Sequence, residues 1–144
     1  MPARHSVSVA AAVVDGEGLV LAVRRRDNGR WEPPGGILEL SETIHDGLVR
    51  EVREETGVVV HPEALTGVYK NMVHGILALV FRCRLVEGVA APSAEAAETA
   101  WLSAEQLRDR MDEAYAVRVL DALAAAPPAV RAHDGHHLLQ PGTR

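Results

Sequence analysis

Between Trp31 and Gly57 the chain has little conformational choice. The run Trp31-Glu32-Pro33-Pro34-Gly35-Gly36 holds two prolines, which forbid helix, and then two glycines, which permit backbone angles closed to other residues. A short apolar piece, Ile37 to Leu40, leads to Ser41, a good N-cap, and to Glu42, well placed against the positive end of a helix dipole. The pattern predicts a helix from there to about Thr56, stopped at Gly57. On it Glu51, Glu54 and Glu55 stand at i, i+3 and i+4 and fall within an arc of roughly 100°. Ile44, Leu48, Val49 and Val52 make the apolar stripe, with Glu51 and Glu55 at its border, while Arg50 and Arg53 point more nearly outward. Carboxylates crowded at the edge of a buried face need a compensating charge, and hard oxygen ligands suit Mg²⁺ or Mn²⁺. Taken alone, a Glu-x-x-Glu-Glu run reads as a solvated face with pairs such as Arg50–Glu54; its surroundings decide between the two.

The rest of the chain alternates strand and helix signals. Ser6 to Val14 is small and β-branched, Asp15-Gly16-Glu17-Gly18 turns it, and Leu19 to Val23 returns as a hairpin partner. Val58 to His61, Leu65 to Lys70, Ile76 to Leu85 and Thr99 to Leu102 read as further strands. Ser103-Ala104-Glu105-Gln106 has the form of a capping box, and a second late helix from Asp112 to about Ala125 shows apolar spacing at Val117, Leu120, Leu123 and Ala124. Pro127-Pro128 ends it. Strands, a helix, more strands and more helices make an α+β pattern around a mixed sheet.

The chain has 144 residues, enough for one domain, which is expected over residues 1–126; the His-, Gly- and Pro-rich stretch 127–144 is expected to be a flexible C-terminal tail. His133, His136 and His137 within it resemble a metal tract only superficially. No apolar run approaches the roughly 20 residues needed to cross a bilayer, and the N-terminal stretch has no clear cleavage site, so a cytoplasmic location without a membrane partner is expected. A net charge of −5 offers no electrostatic footprint for nucleic acid. The single cysteine, Cys83, excludes an internal disulfide and reads as a buried strand thiol.

From Gly36 the order is five residues, Glu42, seven residues, then Arg50-Glu51-Val52-Arg53-Glu54-Glu55-Thr56-Gly57-Val58. This resembles the Nudix box at every specified position, and the similarity extends over about Ser6 to Ala125 as a pattern of strands. The resemblance implies a Nudix fold, an α/β/α sandwich around a mixed sheet. It also implies divalent-metal-dependent hydrolysis of a pyrophosphate bond in a nucleoside diphosphate linked to another moiety: a (deoxy)nucleoside triphosphate, its oxidised form or an NDP-linked metabolite. By position, Glu51, Glu54 and Glu55 with the carbonyl of Gly36 would hold the metal, Glu42 and Arg50 would be structural, and Gly57 fits the helix stop. Mg²⁺ is the expected cofactor, with Mn²⁺ as a substitute. Breaking a phosphoanhydride requires an in-line water, charge neutralisation and a base. Glu51 and Glu54 are candidates for that base, as are Glu95 and Glu98 near Trp101.

Strand alternation sets Arg25 on the face of Leu21 and Val23, with Arg24 and Arg26 opposite, so Arg25 is the favoured phosphate contact. Trp31 and Glu32 complete the candidate substrate contacts. Only five aromatic residues are available for base stacking, which leaves Trp31 or Tyr69. Relatives acting on ADP-ribose tend to carry a proline, and those acting on diadenosine polyphosphates a tyrosine, about fifteen to seventeen residues past the box; Val73, His74 and Gly75 stand there, so the partner is a small nucleotide derivative of open identity. His74 is a loop candidate for substrate contact. Two rival readings share the fold: a nucleotide-sensing module without turnover, against which the intact carboxylates count, and an isoprenoid diphosphate isomerase, against which the lone Cys83 counts. A homodimer is common in the fold, but no interface is specified.

Overall fold

The computed structural model describes residues 2–124 and 126–142. Strands β1 (Ser6–Val14) and β2 (Val20–Arg25) form the expected hairpin. Its turn is held by Asp15, whose Oδ1 accepts the N–H groups of Glu17 and Leu19, each at 2.9 Å, while Gly18 takes φ 81°. The Trp31–Gly36 run forms no helix, as its prolines require; β3 (Trp31–Glu32) and β4 (Gly35–Ile37) flank them. Beyond helix α1 (Ile44–Thr56) come β5 (Val59–Asn71), β6 (Ile76–Glu87) and β7 (Ala96–Leu102), then α2 (Ala104–Arg110), α3 (Glu113–Leu123), β8 (Ala129–His133) and β9 (Leu138–Leu139).

The strands form one mixed sheet in the order β3-β2-β1-β6-β5-β8-β9, with β4 added to β1 and β7 to β2. The β1–β6 and β5–β8 pairs are parallel and the others antiparallel. Alternation along β1 sorts the core into two layers. Val9, Ala11 and Val13 face α1 and meet Leu48 and Val52, whereas Ala12 faces Leu107, Val119 and Ala122 of the two late helices. Helices thus cover both faces, the α/β/α sandwich expected of an α+β chain.

Four expectations need correction. The N-cap of α1 is Thr43, not Ser41: its hydroxyl accepts the Asp46 N–H at 3.1 Å. The two strands foreseen over 58–61 and 65–70 are one, β5. Its register against β6 shifts between Pro62 and Ala64 and again between Leu65 and Gly67, because a proline without N–H is tolerated in a sheet only at such irregularities. On α3 the buried face is Ala114, Ala116, Arg118, Val119 and Ala122, while Leu123 is exposed; small alanines let the helix approach the sheet, so hydrophobicity alone picked the wrong stripe.

The expected tail is the fourth. Residues 129–133 add a parallel strand to β5, pairing Gly67 with Ala129 through Asn71 with His133, and β9 closes on β8. The open edge of β5 supplies unpaired backbone groups that this segment satisfies. His133 is fully buried, and the nearby His136 instead approaches Asp112 Oδ2 at 3.1 Å. Among the described residues no helix is long and apolar enough to cross a membrane.

Candidate active site

Where β4 lies against β1, Gly35 and Gly36 pass so close to their neighbours that a side chain on either would displace something. A Cβ on Gly35 would overlap the Val9 carbonyl, and one on Gly36 would overlap the Glu51 carboxylate. The two glycines therefore let bare backbone line the acid edge of α1. From there the Gly35 N–H donates to Glu55 Oε1 at 3.1 Å. The C-terminal end of α1 is closed by Gly57 at φ 82°, whose N–H donates to the Arg53 carbonyl, as its place in the sequence predicts.

Arg50 does not point outward. Its guanidinium folds back between acids: Nε donates to Glu42 Oε2 at 2.8 Å, and Nη1 donates to Glu51 Oε1 at 3.0 Å and to Glu54 Oε2 at 3.1 Å. It also donates to the Ile37 carbonyl at 3.4 Å. One cation thus fixes three carboxylates and ties α1 to the segment after β4, a geometry suited to a planar fork of donors. Hydrogen bonding from Arg50 brings the Glu42 carboxyl down to about 2.

A cleft of about 500 Å³ opens over this edge, lined by Glu51, Glu54, Glu55 and Glu95 with Gly35 and Gly36. Burial pushes Glu55 up to about 7, opposed by the Gly35 N–H and reinforced by Glu32, Glu95 and Glu51. Glu51 is also raised, first by burial, against the pull of Arg50 and with Glu54 and Glu95 adding to the rise. Glu54 is the solvent-facing member, its side chain 63 % exposed. A set of hard carboxylate oxygens whose mutual repulsion only Arg50 and one N–H relieve has the chemistry of a divalent-cation site. Among the described residues no three acidic, histidine or cysteine groups already converge as a finished cage; a cation there would take over oxygens that Arg50 and Gly35 now hold.

Arg25 reaches the cleft, as its strand face foretells; Nε donates to Asp27 Oδ1 at 2.9 Å and Nη1 to Glu32 Oε1 at 3.3 Å. Arg26 lies past the end of β2, escapes the alternation and also lines the cleft, with Nε donating to the Ser93 carbonyl at 3.0 Å. Glu98 is not part of the site. On β7 it stands opposite Arg24 and pairs with it at 2.8 Å, on the side of β2 away from Arg25; Glu95, just before β7, lines the cleft.

The stacking candidates do not line the cleft either. Trp31 packs into the core beneath α2 and α3, with Arg110 over its ring at 5.4 Å. Tyr69 is fully buried and donates to Asp121 Oδ2 at 2.7 Å. His74 lines neither cleft nor cavity; its N–H caps Asn71 Oδ1 at 3.1 Å. Cys83 is buried on β6, and burial pushes its thiol up to about 12, which leaves it inert.

Glu32 turns away from the cleft into a second cavity of about 230 Å³ that shares Arg25, Gly35 and Gly36 with the first. Burial raises its carboxyl, against the pull of Arg25 and Arg118. Asn71, Tyr115 and Arg118 also line this cavity. None was foreseen; a cation in the middle of an alanine-rich helix face was the one available signal.

The NUDIX domain family model matches residues 4–123. A MutT-like protein of Streptomyces ambofaciens is 55 % identical over 98 % of this chain and 92 % of its own length. An ADP-ribose pyrophosphatase of Methanocaldococcus jannaschii is 31 % identical over 46 % of this chain and 41 % of its own length, so that match reaches less than half of either protein. The crystal structure of a NUDIX hydrolase from Nitrosomonas europaea superposes with a TM-score of 0.78, covering 92 % of this chain and 82 % of that one, at 21 % identity. An acid-edged helix held against a double-glycine strand by one arginine, within a sequence that this family model matches over most of its length, makes the chain a member of the Nudix hydrolase family.

Proposed function

We propose that the protein hydrolyses the pyrophosphate bond of a nucleoside diphosphate linked to another moiety, with Mg²⁺, or Mn²⁺ in its place, held by Glu51, Glu54, Glu55 and the Gly36 carbonyl. The observation that carries this reading is the partly desolvated acid edge of α1, which lies directly against the bare backbone of Gly35 and Gly36 and opens with it onto one cleft. When bound, the divalent ion would neutralise phosphoryl oxygens and lower the pKa of water.

The chain's own residues supply the rest. Arg25, at the cleft wall, offers guanidinium donors to the phosphate oxygens. Glu54, exposed at the cleft, accepts the proton of the attacking water, and Glu95 on the opposite wall is the second acceptor within the same cleft. Glu42 stays outside the chemistry and holds Arg50, which orients Glu51 and Glu54. ADP-ribose, the substrate class named for the archaeal relative, belongs in the first panel of compounds, beside nucleoside triphosphates and other NDP-linked metabolites.

The test is turnover of that panel with Mg²⁺, followed as release of phosphate, pyrophosphate or nucleoside monophosphate and repeated on Glu54→Gln. The expected result is turnover of at least one compound that falls by about 10³-fold in the variant. Activity that survives the substitution unchanged overturns the assignment of the site. Tight nucleotide binding without turnover at any metal concentration overturns the enzymatic reading itself.

A further inference from the structure

The cavity beyond the cleft contains a guanidinium with no ion-pair partner among the described residues. Arg118, on the sheet-facing side of α3, is 8 % exposed. Its guanidinium lies between two rings, 4.7 Å from the centroid of Tyr115 and 5.4 Å from that of Tyr69. These faces attract the cation but accept no conventional hydrogen bond from its edge. Nε is fully buried and has no hydrogen-bond partner among the described residues. Glu32 attracts Arg118 from a distance, but its carboxylate is already held by Arg25.

Among the described residues the one side-chain hydrogen-bond contact of the guanidinium is Nη2 to His133 Nε2 at 3.2 Å. That imidazole receives a second donor, the Gly135 N–H, which reaches Nδ1 at 2.9 Å. A neutral imidazole has a single acceptor nitrogen. The Arg118 Nη2 donor and the Gly135 N–H therefore compete for that one acceptor, and His133 satisfies only one of them. The guanidinium thus has at most one neutral acceptor to set against its charge. A buried cation in this condition is costly, and it is kept where something else completes it.

We propose that this cavity is a subsite for an oxyanion carried by the substrate, a carboxylate or phosphate group, and that Arg118 is the residue that selects it. The proposal rests on the reading of the acid cleft as the pyrophosphate site. Because the two spaces meet at Arg25, Gly35 and Gly36, a molecule whose diphosphate lies against Glu51, Glu54 and Glu55 can continue over the glycine backbone to Arg118. Asn71, 6 % exposed, adds an amide to the same space, and Ala10 and Ala78 supply an apolar floor. A planar fork of N–H groups fits two adjacent oxygens better than a single neutral acceptor, and the absent countercharge favours an anion.

The test uses compounds that differ in one oxyanion. UDP-glucuronate against UDP-glucose presents a carboxylate on the moiety beyond the diphosphate; 2′-phospho-ADP-ribose against ADP-ribose presents a phosphate on the nucleoside side. Comparing kcat/KM with Mg²⁺ for wild type, Arg118→Lys and Arg118→Met gives a discrimination ratio for each pair. The wild type is expected to favour the charged member of one pair by about 10- to 100-fold, Arg118→Lys to keep part of that preference and Arg118→Met to lose it. Which pair responds tells whether the oxyanion enters from the nucleoside or from its partner moiety.

Equal rates within both pairs in the wild type overturn the proposal. So does a preference that survives in Arg118→Met, even where the melting temperature drops, since that pattern marks a purely structural arginine. Dissociation constants for the same compounds on Glu54→Gln, measured by calorimetry, separate the two readings. Discrimination in binding without any wild-type turnover leaves the subsite standing and removes hydrolysis; turnover without discrimination does the reverse.

Discussion

The cleft over α1 and the cavity beside α3 share a wall of Arg25 and two glycines, yet they carry opposite imbalances. On one side five acidic side chains outnumber Arg25 and Arg26; on the other a guanidinium faces no carboxylate it can keep. The first imbalance is arranged by a single element with a fixed spacing. The second is assembled by α3, β5 and β8 from three distant parts of the chain. Charges gathered by one helix can be read along it, and charges gathered by topology cannot. Both point to ligand groups of the missing sign, arranged as a diphosphate with its cation would be on one side and an acid group on the other.

The two glycines on the shared wall give the sharpest way to break that comparison. Gly36→Ala sets a methyl into the Glu51 carboxylate and is expected to lower turnover by about 10²-fold while the protein stays folded, because the group displaced is the end of a side chain. Gly35→Ala sets the same methyl into the Val9 carbonyl and the Ala10 backbone. Backbone yields less readily, so this variant is expected to lose stability first, by about 1–3 kcal/mol in chemical denaturation. If both variants lose only activity, the difference between the two walls is mistaken.

Arg50→Met comes next. It frees Glu42, Glu51 and Glu54 from their common cation and is expected to lower kcat/KM by about ten- to a hundredfold through misplaced carboxylates. The pair also predicts a pH signature. With its folded value near 2, Glu42 contributes stability above the ordinary carboxyl value of 4.5, and that contribution is lost as pH falls toward 2. Stability curves of wild type and Arg50→Met should therefore converge on the acid side of 4.5.

Much of the acid cleft was legible because its determinants are local. Gly36, Glu51, Glu54 and Glu55 follow helix geometry and a box of fixed spacing, and the structure brings all four to one cleft. Arg25 followed from strand alternation, and Arg26 broke it because β2 stops one residue earlier. Glu98 was misread because only the pairing of β7 with β2 shows that it answers Arg24. Trp31 became a stacking candidate only because aromatic residues are few, and its packing beneath the late helices depends on contacts that sequence spacing does not show. The stretch 127–144 was misread because its composition suits a tail, while the unpaired edge of β5 that recruits 129–133 exists only in the folded sheet.

His133 carries this last point into a measurement. In the unfolded chain it protonates near its ordinary 6.5; in the fold, burial and the adjacent Arg118 bring it down to about 4. Between those values the unfolded state binds the extra proton, so stability falls as pH drops through the window and is intact above 6.5. Compared with His133→Gln, the wild type is expected to lose about 1–2 kcal/mol between pH 6.5 and 4. A constant difference between the two proteins over that range would mean that the β8 histidine is not sealed into the fold.

The smallest expected effect tests the division between the two faces of β2. Glu95 lines the cleft and Glu98 pairs with Arg24 outside it, its side chain 55 % exposed. An exposed ion pair of this kind contributes about 0–1 kcal/mol, so Glu98→Gln should leave the unfolding midpoint and kcat/KM within about twofold of wild type. Glu95→Gln removes a carboxylate from the wall opposite Glu54 and should reduce kcat by about tenfold or more. The two residues lie three positions apart, and only the register of β7 on β2 distinguishes them. A larger loss from Glu98→Gln than from Glu95→Gln would therefore place the error in that register and, with it, in the wall that divides acids serving the reaction from acids that merely neutralise an arginine.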